Sequence, residues 1–271
     1  MIFQVTLQAL ERRTILPLNY QYALSAWIFR TLEQGDRDLA LRLHDEGYAD
    51  AHRRFKFYSF SELFPVKKAI EGDRLVLLHP DVRFSISFLA DHAAQSMVLG
   101  LFRRAEPSFL GDRISGGRFA VRSVEMQMLP RLEPDTVFRT TSPAVFSLSD
   151  PNPDGSPGKR YLHPEEPGFV DQFAANLAAK YAVALREGLL PGLATDLRDA
   201  PLNFELLSDH VKEKRIDLLR GQPGYTRVRG YKFRFRLNAP EPVLQVALLA
   251  GVGEKNAMGF GGVEVVEKST N

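Results

Sequence analysis

"EPVLQVALLAGVGEKNAMGFGGVEVVE", Glu241–Glu267, sets five glycines between an apolar run and a short run rich in valine. The apolar run carries Pro242 in its first turn, where a helix tolerates it, and reads as a short helix. VEVVE (Val263–Glu267) reads as a strand. A dinucleotide fingerprint needs a strand before its glycines and a helix after them, so that the helix N-terminus faces the pyrophosphate. Here the order is reversed, and a Rossmann unit is excluded. Two readings of the glycines stay open. They form either a helix-to-strand connector that needs positive φ angles, or a loop whose N–H groups cradle phosphates. Lys255 puts a charge inside the loop, and Phe260 offers a stacking or packing surface.

Immediately before this stretch lies YKFRFRL (Tyr231–Leu237). A strand sends successive side chains to opposite faces. One face therefore holds Tyr231, Phe233 and Phe235, and the other holds Lys232, Arg234 and Arg236 about 7 Å apart, twice the strand rise. The aromatic face is either buried beneath helices or a platform for stacking bases. The cations are expected at the surface beside the glycine loop. They end a strip, Lys212–Arg236, with nine Lys or Arg and two acids in 25 residues, on a chain whose net charge is only +2. Such a strip on an otherwise acidic protein points to a polyanion, against the alternative of a solvated edge strand.

Further outward the same element order occurs twice. In the second half TVFRTTSPAVFSL (Thr136–Leu148) reads as a strand, and DPNPDGSPGKR as a turn-rich, mobile loop. Phe169, Phe173, Leu177, Tyr181 and Leu185 recur every four residues and mark an amphipathic helix. Strands follow at Val211–Arg220 and Thr226–Leu237, then the short helix and the last strand. In the first half, Ile2–Leu10 reads as a strand. Leu24, Trp27, Ile28 and Leu32 mark a helix between a candidate cap at Asn19 and a stop at Gly35, and Leu39–Leu43 a second short helix. A polar loop with His44 and His52 then leads to strands at Phe55–Leu63, Arg74–His79 and Val82–Phe88, a helix at Asp91–Arg103 and a strand at Phe119–Leu129. The expected fold is α+β: two tandem ferredoxin-like (RRM-like) βαββαβ domains, 1–130 and 131–271, divided at the Pro130–Pro134 stretch.

The 271 residues, 44% of them hydrophobic, suffice for two such cores. No cysteine is present, so neither disulfides nor thiolate chemistry arise. No window approaches 18 consecutive apolar residues and the opening lacks a signal-peptide pattern, so a soluble cytoplasmic protein with no membrane contact is expected. The acids Asp36, Asp38, Asp45, Glu46 and Asp50 are dispersed, and no H-x-x-H or E-x-x-H spacing occurs. No metal site and no cofactor is expected.

The ending Gly251, Gly253, Gly259, Phe260, Gly261, Val263 (G-x-G-x5-G-F-G-x-V) closely resembles the C-terminal glycine-rich motif of the CRISPR repeat-RNA endoribonucleases, the Cas-six family of the RAMP superfamily. LPLNYQYALSAWIFRTL (Leu16–Leu32), LHDEG (Leu43–Gly47) and FKFYSFSEL (Phe55–Leu63) follow the same family's order, so the resemblance covers nearly the whole chain. It implies the tandem ferredoxin-like architecture, binding of CRISPR repeat RNA, and one metal-independent cut per repeat. Effector-complex subunits and a second copy of the chain are further partners it allows. It also implies catalytic roles for His44 in LHDEG and Lys56 in FKFYSFS. At the position where the family often has a tyrosine on its first helix stands Phe29, which has no proton to exchange. Tyr48, His52 and Arg54 are nearby stand-ins, with Arg54 expected to assist Lys56. The implied RNA-binding set is Gly251, Gly253, Lys255, Gly259, Phe260 and Gly261 of the loop with Lys232, Arg234 and Arg236 of the strand. With Phe29 in the tyrosine place, an alternative is a protein that holds repeat RNA with little turnover. His79, His92, His163 and His210 read as structural.

Overall fold

A computed structural model describes residues 1–50, 53–103, 106–151, 155, 158–190, 202–218 and 225–266. The chain divides into two compact units, Met1–Leu129 with Ala257–Gly259, and Pro130–Asn256 with Phe260–Asn271. Three residues of the glycine loop thus group with the first unit.

The first unit is built on β1 (Ile2–Ala9), α1 (Gln21–Gly35), α2 (Arg37–Asp45), β2 (Tyr58–Phe60), β3 (Asp81–Phe88), α3 (Asp91–Arg103) and β4 (Gly116–Gln127). β1 lies between β4 and β3, antiparallel to both, and β2 pairs outside β3. The spatial order β4-β1-β3-β2, with a helix in each crossover, is that of a split βαβ pair, the ferredoxin-like arrangement. Alternation explains the core. Phe3, Val5, Leu7 and Ala9 of β1 and Phe84, Ile86 and Phe88 of β3 are buried. Against them α1 presents Leu24, Trp27, Ile28 and Leu32, a stripe at helical spacing. Trp27 meets Phe84 edge-on, ring centres 6.0 Å apart, and its indole N–H donates to Ser108 Oγ at 2.5 Å.

α1 and α3 cross at backbone contact. A Cβ on Gly35 would lie 1.8 Å from the Ser96 carbonyl oxygen, and one on Gly100 1.8 Å from that of Thr31. Gly35 is therefore the last residue of α1 for packing reasons, not a left-handed stop. At the other end Tyr20, not Asn19, precedes the first helical turn, and no side chain caps it.

The second unit repeats the plan with β5 (Thr136–Thr140), α4 (Phe169–Arg186), β6 (Asn203–Leu206), β7 (Lys212–Leu218), β8 (Thr226–Lys232), β9 (Arg234–Asn238), α5 (Glu241–Ala250) and β10 (Val263–Val265). The sheet order is β6-β9-β5-β10, all antiparallel, again with a helix in each crossover. Phe169 and Phe173 of α4 pack on Phe204 and Phe235, with ring centres 4.8–5.4 Å apart.

Several expected strands are redrawn. The second strand of this sheet is β6, whose Asn-Phe-Glu-Leu alternation spans only four residues, with Phe204 and Leu206 its apolar members. Of the Val211–Arg220 segment expected in that place, Lys212–Leu218 instead pairs with β8 in a two-stranded ribbon. Thr226–Leu237 is two strands, β8 and β9, interrupted at Phe233, whose N–H donates to Thr140 Oγ1 at 3.0 Å while its carbonyl accepts from Thr140 N–H. Thr136–Leu148 likewise ends at Thr140, and Ser147–Ser149 joins a separate hairpin with Lys159–Tyr161. Phe55–Leu63 divides between Arg54–Phe55 and β2. Arg74–Leu77 joins a three-stranded sheet with Thr14–Pro17 and Lys68–Glu71, outside the main sheet. Much of DPNPDGSPGKR lies outside the described residues. Among the described residues no helix is long and apolar enough to cross a membrane.

Candidate active site

α2 begins at Asp36, whose carboxylate accepts from Leu39 N–H at 3.0 Å, a side-chain N-cap. Leu39, Ala40 and Leu43 bury one face. His44 is not in a loop as expected but in the last turn of this helix, its side chain 58% exposed. A basic residue there faces the negative end of the helix dipole. The imidazole lies against the Phe29 ring, centres 4.9 Å apart, and its Nδ1 is 2.8 Å from Asp45 Oδ1. With Nδ1–H donating to that carboxylate, Nε2 is the nitrogen left to exchange a proton.

Gly47, at φ +60°, turns the chain out of the helix. Tyr48–Ala49 then pairs antiparallel with Arg54–Phe55, which brings the chain back to the helix end. There Arg54 Nη1 donates to the Asp45 carbonyl oxygen at 2.7 Å. Lys56 follows, half-buried; burial pulls its amine below the usual lysine range, and the Asp45 carboxylate opposes that pull. Phe57 sits at φ +51°, a region that bulky residues avoid. It is held by the rings of Phe55 and Tyr48, 5.7 and 5.1 Å away, and by Leu89 N–H, which donates to its carbonyl at 3.0 Å.

The fold thus brings His44, Arg54 and Lys56 together around Asp45. Asp45 bonds the first through its carboxylate and the second through its carbonyl, and it acts on the third through its charge. In the sequence Asp45 stands only as one of several dispersed acids, because one residue following a histidine carries no periodic signal. Beside this group the Tyr48 hydroxyl is 2.8 Å from His92 Nε2. Burial first, then Arg42, lowers the His92 pKa, which favours the neutral ring as acceptor from the tyrosine. His52 lies outside the described residues. His79 and His163 accept backbone N–H groups, from Asp81 at 3.1 Å and Glu165 at 3.3 Å. Among the described residues no group of three or more His, Asp or Glu side chains is placed to hold a metal ion.

The basic strip and glycine loop need correction. Tyr231, Phe233 and Phe235 are buried, so the base-stacking platform is ruled out. The three cations do not form one row, because the break at Phe233 puts Lys232 on the β7–β8 ribbon and Arg234 and Arg236 on the main sheet. Arg236 bonds Glu205, while Arg234 is exposed opposite Arg139.

In the loop, Gly251, Gly253, Gly259 and Gly261 all have positive φ, between +65° and +89°. Phe260 is completely buried, a core side chain with no face for a base. Gly261 N–H donates to Pro143 O at 2.9 Å, Gly262 N–H to Ser142 Oγ at 2.9 Å, Val252 N–H to Gly261 O and Glu254 N–H to Val145 O, both at 2.8 Å. These amides close the loop on the protein and cannot cradle a phosphate, so the connector reading holds for them.

Comparison with known proteins gives the family. The family model "CRISPR associated protein Cas6, C-terminal" matches residues 127–265, just over half of the chain, and "CRISPR-associated protein Cas6, N-terminal" matches residues 15–125. The chain belongs to the Cas6 family. A Cas6 relative from Methanocaldococcus jannaschii, "CRISPR-associated endoribonuclease Cas6 1", is 26% identical over 94% of this chain and 89% of its own length. "CRISPR-associated endoribonuclease Cas6" from Pyrococcus furiosus is 25% identical over 96% and 87%. A solved structure titled "CRISPR associated protein Cas6" superposes with a TM-score of 0.74 at 25% identity, covering 98% of this chain and 99% of that one.

Proposed function

We propose that this chain is an endoribonuclease that processes CRISPR repeat RNA, with its reacting groups at the end of α2. The observation that carries the reading is the convergence of His44, Arg54 and Lys56 on Asp45 in a member of the Cas6 family. The ribose 2′-hydroxyl loses its proton and attacks the adjacent phosphorus. The bond to the 5′-oxygen breaks, and that oxygen takes up a proton. The products are a 2′,3′-cyclic phosphate and a 5′-hydroxyl. His44 Nε2 serves as the general acid or base, with Asp45 holding the ring and its tautomer. Lys56 and Arg54 supply positive charge where the phosphorane oxygens gain negative charge. The first half, residues 1–130, carries this chemistry. The second half, 131–271, grips the RNA through Lys232, Arg234, Arg236 and Lys255, and Gly251, Gly253, Gly259 and Gly261 shape the loop that presents Lys255.

Incubation of the protein with repeat RNA in EDTA tests the reading. A single cut per repeat, lost when the scissile ribose is 2′-deoxy, is the expected result. A stable complex with intact RNA makes the chain a binder instead. His44→Ala is expected to slow single-turnover cleavage about 10²-fold or more with binding nearly intact; an unchanged rate removes His44 from the mechanism.

A further inference from the structure

Lys180 is a lysine with 1% of its surface exposed, on the buried face of α4. Charged residues are almost never so buried unless paired. Its amine donates to the Gly251 carbonyl at 2.6 Å and to Asn256 Oδ1 at 2.7 Å. Asn256 in turn donates from Nδ2 to the carbonyls of Val252, at 3.0 Å, and Phe260, at 3.1 Å. One amine and one amide therefore tie both ends of the glycine loop to a single point. Glu254 is pinned as well: its carboxylate accepts from Ser147 N–H, Ser147 Oγ and Lys159 Nζ at 2.7–3.0 Å. Between the two pinned residues stands Lys255, half-buried, at φ +59°, a backbone region costly for a lysine.

We propose that Lys180 is a positioning residue for RNA binding: its buried amine, through the Gly251 carbonyl and Asn256, holds the loop in the one shape that presents Lys255 to a phosphate of the RNA. This rests on the reading of the chain as a repeat-RNA processing protein and names the device that readies its grip. Removing the amine leaves the buried Gly251 carbonyl and the part-buried Asn256 Oδ1 without this donor, which is costlier than never having formed the bonds. The strained backbone at Lys255 then relaxes. The fraction of molecules with the loop in its binding shape falls, and the apparent Kd rises by the inverse of that fraction.

The test compares wild type, Lys180→Met, Lys180→Gln, Asn256→Ala and the Met/Ala double variant, each checked for folding by thermal unfolding. Fluorescently labelled repeat RNA gives Kd by anisotropy, and single-turnover cleavage gives the saturating rate. Lys180→Met is expected to raise Kd about tenfold or more, with a smaller effect on the saturating rate. Lys180→Gln, which keeps a donor, is expected to recover part of the loss. The double variant is expected to be no worse than the poorer single, because both break one network. A folded Lys180→Met variant with wild-type Kd overturns the proposal, and so does strict additivity of the two substitutions. If Lys180→Met fails to fold, Lys180→Gln and Asn256→Ala decide by the same readouts. A wild-type protein that neither binds nor cuts repeat RNA overturns the functional reading itself, whereas a wild type that does both beside indifferent variants overturns the latch alone.

Discussion

The end of α2 and the glycine loop are the two most distinctive stretches of the chain, and they are built in opposite ways. At the end of α2 the side chains face solvent: His44 is 58% exposed and Asp45 68%. In the loop, Gly251, Val252, Gly253 and Phe260 are all buried, and the closing amides bond the protein's own carbonyls. Regular glycine spacing here records what the backbone must do to pass through a packed interior. Exposed polar side chains of mixed charge at a helix end remain free to meet a ligand, as the proposed chemistry requires. A motif of high visibility is thus no guide to which atoms meet a ligand.

The largest contrast is expected from Gly261→Ala set beside His44→Ala. A Cβ at Gly261 would stand 1.9 Å from the Val252 carbonyl oxygen, and φ there is +65°. The left-handed backbone alone costs an L-residue about 1–2 kcal/mol, and the clash adds to it, for a loss of about 3 kcal/mol or more. The urea midpoint should fall sharply for Gly261→Ala and stay put for His44→Ala, while cleavage at saturating RNA should show the reverse in whatever protein remains folded. An unshifted midpoint for Gly261→Ala together with lost RNA binding would restore the view of the loop as a ligand cradle.

The next contrast is in pH. Burial pulls the Lys180 amine from its usual 10.5 to about 7, with Glu254 opposing. A folded pKa below the unfolded one means stability that is present above pH 10.5 and is lost as pH falls towards 7, with no further loss from this group below that. A tenfold change in proton affinity corresponds to about 1.4 kcal/mol, so the effect amounts to several kcal/mol. The wild type should therefore gain stability between about pH 7 and 10, and Lys180→Met should lose that slope. Parallel slopes would mean that Lys180 keeps an ordinary lysine's titration despite its burial.

These differences explain how much was legible in the residues. The βαββαβ order could be read because α1 and α4 obey helical periodicity, because β1 alternates loosely, and because the helix-glycine-strand order at Glu241–Glu267 admits few alternatives. β6 is hard to see because Asn203 and Glu205 alternate with only two apolar residues, too short a pattern to stand out. The break at Phe233 is a hydrogen-bonding event with Thr140, 93 positions away in the chain, which no local pattern records. His44 and Lys56 could be placed only through family resemblance. The link through Asp45, and the Lys180–Asn256 latch, depend on contacts that only the folded chain creates.

The smallest effect separates Arg234 from Arg236, which the sequence treats as equivalent. Arg236 bonds the Glu205 carboxylate, so its charge is already countered. Among the described residues no carboxylate lies within ion-pair range of the Arg234 guanidinium, and it stands opposite Arg139, which is itself bonded to Glu264. An RNA phosphate arriving at Arg234 displaces a counterion, whereas one arriving at Arg236 competes with Glu205. Neutralising Arg234 should therefore lower the slope of log Kd against log salt by about 0.7, the value for one phosphate of a single strand, and Arg236→Ala by less. Equal changes would indicate that RNA binding pulls Arg236 away from Glu205. Slopes unmoved by either substitution would take this sheet face out of the RNA-binding surface and leave the grip to Lys232 and Lys255.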